Sequence, residues 1–301
     1  MTIQNAAVTQ QIGIDAIKAK HKATWEDGNY ADFATYMHDG AIEMLHGWDF
    51  SGAKTLLDVG CGSGQTAIPA SKMGLRVTGI DIAENLINHA RKMAQKANLD
   101  TQFDVGDAEN LPYENNSFDA AITMIGAMFA PQPGQVAREF SRVIKPGGKL
   151  CMANWTAASM PGQMFKAVAE IAFPPPGFIP PVLWGDEDTV TERLSEKFSD
   201  IKLSRKTYPQ WHYPFDEHEL INLFREQFGP VKRAFEMATE KQEKQLYDNL
   251  FDIYRDNSEI NNGVLTITGG EYLDVIATRR QKQTAKTWIR AHVRFQVFHI
   301  S

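Results

Sequence analysis

The sequence predicts an α/β protein, a doubly wound and mostly parallel sheet carrying a helical, proline-rich substrate cap. Three observations lead there. Short, continuously apolar runs alternate with amphipathic stretches up to about residue 155, the first run ends in a glycine-rich bend, and beyond residue 155 the rhythm gives way to an aromatic, proline-rich half. Strands that are apolar along their whole length are buried on both faces, as in a parallel sheet covered by helices. With 301 residues, 43% hydrophobic and 23% charged, the chain can bury one large domain or a core with an elaborated cap, and disorder as its main theme is excluded.

Each element follows from its residues. "KTLLDVG" (54–60) and "LRVTGIDI" (75–82) are apolar runs closed by glycine or acid and read as the first two strands. Between them "QTAIPASKMG" is helical and stops at Gly74, with Pro69 expected to cost an interior hydrogen bond. From Glu84 to Asn98, residues Leu86, Ile87, Ala90, Met93, Ala94 and Ala97 recur at steps of three and four, one apolar helix face. "TQFDVGD" is a weak third strand, and "SFDAAITMI" (117–125) is a stronger fourth, introduced by the turn-forming "ENNS". A helix over 135–144 groups Val136, Phe140, Val143 and Ile144, "KPGG" turns the chain, and "KLCMANW" (149–155) is the fifth strand. The prolines of "FPPPGFIPPVLWG" impose a stiff loop. "SDIKLSRKTYPQWHYP" reads as a strand. Asp216 and Glu219 suggest a capping box for "EHELINLFREQFG", with Gly229 and Pro230 as its stop; a long helix then runs to about Asn257, and "GEYLDVIATRR" is the last strand.

The sharpest chemical signal is "LLDVGCGSGQ". Gly60, Gly62 and Gly64 fall at the carboxyl end of the first strand, the edge where open parallel sheets bind ligands. Glycine permits positive φ and lets a ligand approach the backbone. A dinucleotide fingerprint requires glycine at position 65, which is Gln65, so a nicotinamide cofactor is disfavoured. Asp58 would repel a pyrophosphate and attract an ammonium group. Asp81, 21 residues after Gly60, stands where a carboxylate accepts ribose hydroxyls. An amine, a ribose and no phosphate describe S-adenosylmethionine.

The segments "LLDVGCGSG", "VTGIDIAENLINHAR", "GDAENLPYENNSFDAA" and "RVIKPGGKL", over roughly residues 54–150, resemble the class I S-adenosylmethionine-dependent methyltransferases, within them the group similar to the ubiquinone and menaquinone C-methyltransferases. The resemblance implies a seven-stranded Rossmann-like sheet and S-adenosylmethionine as cofactor, leaving S-adenosylhomocysteine as product. It implies Asp58 and the Gly60–Gly64 loop at the methionyl end, Asp81 at the ribose, Ile82 on one face of the adenine, Asp107 at its amino group and Ala108 beside the ring. Cys61 is expected as a small filler of the loop rather than a reactive thiol, with Met124 at the cofactor from the end of the fourth strand.

Methyl transfer from a sulfonium is an in-line displacement that demands alignment and exclusion of water; a base is needed only for a protonated nucleophile. "TMIGAMFAPQP" lacks the Asn/Asp-Pro-Pro-aromatic signature of amino-group methylation, neither an acidic magnesium cluster nor a three-thiol site is present, and no metal is predicted. The substrate-site candidates are Trp25, Tyr30, Met128, Trp155 and Trp184, with Tyr36, His38, Phe129, Met160, Phe178, Trp211 and Tyr213 as further aromatic, histidine or methionine lining and His212 as the candidate base. The expected partition is a helical lid (1–50), a cofactor core (51–155), a cap and strand (156–215), C-terminal helices with the final strand (216–278) and a basic tail (279–301). That tail carries six Lys/Arg and no acid, so of a net charge of -6 the body holds about -12, and nucleic acid is not an expected partner. Two cysteines, no apolar run of bilayer length and no export signal point to a cytoplasmic protein with a small-molecule substrate; no oligomeric state is predicted. A catalytically silent cofactor-binding protein and a protein or RNA methyltransferase are the alternatives.

Overall fold

The apolar runs become the middle of one sheet. In a computed structural model that describes residues 3–174 and 178–281, the parallel strands are β1 (Thr55–Val59), β2 (Arg76–Asp81), β3 (Gln102–Val105), β4 (Phe118–Met124) and β5 (Ile144–Trp155). Every residue of β1 is buried, as a strand with neighbours on both sides and helices on both faces must be. Later in the chain come β6 (Phe198–Thr207), β7 (His212–Tyr213), β8 (Ser258–Asn261), β9 (Val264–Ile267) and β10 (Glu271–Arg279). The seven-stranded sheet has the order β3-β2-β1-β4-β5-β10-β6, in which β10 runs antiparallel to both β5 and β6. The order reverses beside β1, so the loops after β1 and β4 diverge there and leave a crevice at the strands' carboxyl ends.

Eleven α-helices are described: α1 (Ile3–Glu26), α2 (Tyr30–Phe33), α3 (His38–His46), α4 (Ala67–Lys72), α5 (Glu84–Lys96), α6 (Pro133–Val143), α7 (Met160–Ala169), α8 (Glu187–Leu194), α9 (Glu217–Gln227), α10 (Gly229–Met237) and α11 (Glu240–Asp256). On α5 the buried face is Leu86, Ile87, Ala90 and Ala94; Met93 and Ala97, expected on it, are exposed. α4 begins at Ala67, which puts Pro69 in its first turn, where a backbone N–H has no partner within the helix; the expected interior cost is therefore absent. α1 and α2 pack on α10 and α9, so the amino-terminal segment and the C-terminal helices form one cap over the carboxyl edge of the sheet. Buried Asp274 of β10 ties that arrangement to the core: it accepts Trp48 Nε1 at 2.7 Å and Lys206 Nζ at 2.6 Å.

The second half departs from the sequence reading in three places. The stretch 199–214 is two strands in different sheets, because Pro209 and the positive-φ Gln210 break it between β6 and β7. Asp216 does cap α9, accepting Glu219 N at 3.1 Å, but Gly229 and Pro230 open α10 instead of closing α9. The glycine is required by proximity: a Cβ there would lie 1.9 Å from Thr24 O of α1. The hairpin of β8 and β9, with Asn262 and Gly263 at positive φ, was not anticipated, although Asn-Gly between apolar residues is a strong hairpin signal. Of the basic tail, residues 282–301 lie outside the described part of the chain. No described helix is long and apolar enough to cross a membrane.

Candidate active site

Gly60, Gly62 and Gly64 all take positive φ, so the bend after β1 is built from conformations that side chains rarely adopt. Gly60 N and Cys61 N both donate to Ile80 O, at 2.8 and 3.1 Å, which pins the bend to the end of β2. On the other side the bend meets the loop after β4: a Cβ on Gly60 would stand 2.6 Å from Gly126 Cα. The floor of the crevice is thus two bare backbones in contact. Asp81 holds the bend from above, accepting Gly62 N through Oδ2 and Ala83 N through Oδ1, each at 2.9 Å.

Asp58 is fully buried. One oxygen accepts the Thr66 hydroxyl; the other, Oδ1, has no partner among the described residues. Burial lifts its carboxyl to about 7, against the pull of the Thr66 hydrogen bond. Burial also pushes the Asp81 carboxyl up, opposed by its backbone donors, and pushes the Cys61 thiol well above its usual range, which suits a filler rather than a nucleophile.

Two cavities meet at this floor. The larger, about 130 Å³, is a chamber whose walls come from the bend after β1, the ends of β4 and β5, and the cap, with rings of Trp25, Tyr30, Phe129, Trp155, Trp211 and Phe228. The smaller, about 60 Å³, lies between α1 and the loops after β2, β3 and β4; Ile82, Asp107 and Ala108 line one side, Lys18 and His21 the other. Trp25, Gly60, Asp81, Gly126 and Phe129 line both, so the cavities are neighbours across one wall. Burial pulls the His21 imidazole below its usual range, opposed by its hydrogen bond to Phe129 backbone. Tyr30 faces the chamber near Asp81, and burial raises its hydroxyl to about 12.

Most expected residues converge. Gly60, Cys61, Gly62, Asp81, Met124, Trp25, Tyr30 and Trp155 line the chamber. Asp58 lines neither cavity but is reached through Thr66, which does. Of the further lining expected, Phe129 and Trp211 do line the chamber, whereas Tyr36, His38, Met160, Phe178 and Tyr213 line neither cavity. Gly64, Met128, Trp184 and His212 belong elsewhere too. Gly64 packs toward Ile68 and Phe103. Met128 points into the core because the 3-10 turn Ala127–Phe129 aims Phe129, not Met128, at the cavities. Trp184, 1% exposed, sits under the Arg193 guanidinium at 4.5 Å and lines neither cavity. His212 of β7 stands between buried Tyr213 and the buried Trp211 that precedes the strand, so it points to solvent, where Nδ1 meets Thr266 Oγ1 at 2.9 Å; it is not placed to act as a base. Residues the sequence reading missed include Gly126, Met164, Phe165, Tyr208, Phe224 and Phe228. The last two are four apart, in the last turn of α9 and at its C-cap, a spacing visible in the sequence.

Known proteins match this arrangement. Residues 57–152 match the methyltransferase domain family. The Mycobacterium tuberculosis protein Rv1405c, described as uncharacterised, is 30% identical over 239 residues, 78% of this chain and 85% of that protein. This chain belongs to the class I S-adenosylmethionine-dependent methyltransferases. The 27-O-demethylrifamycin SV methyltransferase of Amycolatopsis mediterranei is 32% identical to this methyltransferase over 149 residues, 48% of this chain and 54% of that enzyme. The Bacillus halodurans protein BH2331 has the same fold at 18% identity, with a TM-score of 0.55 over 80% of this chain and 99% of that one.

S-adenosylmethionine is the cofactor of this family, and the residues present fit it. A buried carboxylate oxygen without a partner (Asp58 Oδ1) suits an ammonium group, the bare contact of Gly60 with Gly126 leaves room at the backbone, and Asp81 keeps lone pairs free beyond the two it shares with Gly62 and Ala83.

Proposed function

We propose that this methyltransferase transfers methyl in line from S-adenosylmethionine to a small, uncharged, partly apolar metabolite held in the aromatic chamber. The observation that carries this reading is the shared wall. The cavity with the expected adenine residues adjoins a chamber that, among the described residues, is lined mainly by rings, methionines and aliphatic or small residues, with Gln65, Thr66 and Asp81 as its polar side chains at the cofactor end and no Lys, Arg or His. A phosphate or carboxylate there would be desolvated without a partner, at several kcal/mol by order of magnitude. A flat or apolar acceptor is instead desolvated favourably.

In this reading Asp58, through its unpartnered oxygen, and the Gly60–Gly64 bend hold the methionyl end, Asp81 the ribose, and Ile82, Asp107 and Ala108 the adenine. When bound, the cofactor supplies a methyl group already activated by positive charge. The protein's part is to align: Tyr30, Trp155 and Trp211 fix the acceptor's plane, and the cap keeps water away, an arrangement worth on the order of 7 to 11 kcal/mol where alignment is good. Among the described residues the chamber holds no His or Lys, and its one carboxyl, Asp81, is engaged by Gly62 N, Ala83 N and the expected ribose, which favours an acceptor whose nucleophilic atom needs no strong base. Similarity to the rifamycin enzyme supports a small-molecule acceptor, as does the acidic body against a nucleic acid.

The test is incubation with methyl-labelled cofactor and a fractionated metabolite extract. Label in a small apolar product supports the proposal. Label confined to protein or RNA would replace it with a macromolecular acceptor, and cofactor binding without turnover on any fraction would leave a silent binder.

A further inference from the structure

Lys18 of α1 reaches across the smaller cavity. Its Nζ lies 2.6 Å from Asp107 Oδ2 and 2.5 Å from Glu109 Oε2. Those carboxylates are themselves fixed. Asp107 Oδ1 accepts Glu109 N at 2.8 Å, and buried Glu109 accepts Gln132 N at 2.6 Å and Gln132 Nε2 at 2.7 Å. Lys18, His21 and Trp25 share one helix face and all line the cavity, so this face of α1 is its roof.

The far end of the helix is pinned as well. Glu26 Oε1 accepts Glu84 N at 3.0 Å, Asn85 Nδ2 donates to Glu26 O at 3.3 Å, and Asp27 pairs with Lys232 and, at 2.8 Å, with Arg233. α1 is therefore a bar across the adenine end, held at the end of the helix by α5 and α10 and at Lys18 by two carboxylates. One of those carboxylates belongs to Asp107, the residue matched to the adenine amino group.

We propose that Lys18 is a positioning residue that latches α1 over the nucleoside: it fixes Asp107 in place and must let go of Asp107 and Glu109 for the cofactor to exchange. The proposal rests on the cofactor reading above. The bridge is only partly buried, so salt weakens it, and exchange must quicken as it weakens.

Binding and release of S-adenosylhomocysteine by the full chain are followed by stopped-flow fluorescence, with Trp25 in the cavity wall as reporter. Lys18→Met should release the ligand about fivefold faster, the scale of a part-buried ion bridge. Lys18→Arg should restore slow release, and added NaCl should speed release from the wild type far more than from Lys18→Met. Thermal unfolding of each variant reports separately on folding. Equal release rates for wild type and Lys18→Met, or an equal response to salt, would overturn the latch. Failure of the wild type to bind S-adenosylhomocysteine is a different result, and it would overturn the cofactor reading together with the latch.

Discussion

Replacing Gly126 by alanine isolates the contact on which both cavities depend. A Cβ at this position would stand 2.3 Å from Gly60 O and 2.7 Å from Gly60 Cα, whereas ordinary contact begins at 3.4 Å. Both obstacles are backbone, so no side chain can swing aside. The loops after β1 and β4 must part by about 1 Å, and a displacement of that size in an aligned site costs on the order of 100-fold in rate. The overpacking itself costs about 1 to 3 kcal/mol of stability. Calorimetry with S-adenosylhomocysteine should show affinity reduced at least tenfold, while circular dichroism shows a folded protein with a lowered melting temperature. Wild-type affinity in Gly126→Ala would refute the idea that this backbone contact shapes the cofactor site.

Three further outcomes follow from the same geometry. Asp81→Ala removes the acceptor for Gly62 N and Ala83 N as well as the expected ribose contact, and should weaken S-adenosylhomocysteine binding by about 1 to 3 kcal/mol in calorimetry; unchanged affinity would take Asp81 out of the site. Burial holds the Asp58 carboxyl at about 7, above its unfolded value of roughly 3.9, so the folded state keeps the proton longer; stability is full below that unfolded value and declines as pH rises toward 7. The melting temperature of ligand-free Asp58→Asn should therefore gain on the wild type between those limits, and a constant difference would contradict the buried-acid account. Trp48→Phe removes the donor to Asp274 and should cost about 1 to 3 kcal/mol in urea unfolding without changing cofactor affinity, since Trp48 lines neither cavity; a loss of affinity would show that β10 and the site are coupled.

What the sequence disclosed, and what it withheld, divides along physical lines. The parallel strands were legible because their apolar character is continuous, and the glycine bend because its φ values exclude other residues. The expected adenine residues, Ile82, Asp107 and Ala108, meet in one cavity because they follow strand ends that the sheet order brings together. The acceptor side was less legible. Trp155 and Trp211 line the chamber whereas Trp184 packs in the core beneath Arg193, and composition alone does not separate those fates. His212 was open to a parity argument: on a strand where Trp211 and Tyr213 turn inward, the residue between them turns out. Gly229 and Pro230 end a helix as readily as they begin one, and only the approach of α1 decides between the two. Lys18 carries no local signal at all, because its partners lie 89 and more residues away.

A crystal structure with S-adenosylhomocysteine tests most directly where the nucleoside sits. Ribose hydroxyls are expected within hydrogen-bonding distance of Asp81, the amino group near Asp58, the adenine beneath α1 between Ile82 and Ala108, and the sulfur turned toward the aromatic chamber. A sugar bound away from Asp81, or a sulfur facing away from the rings of Tyr30 and Trp155, would contradict that placement.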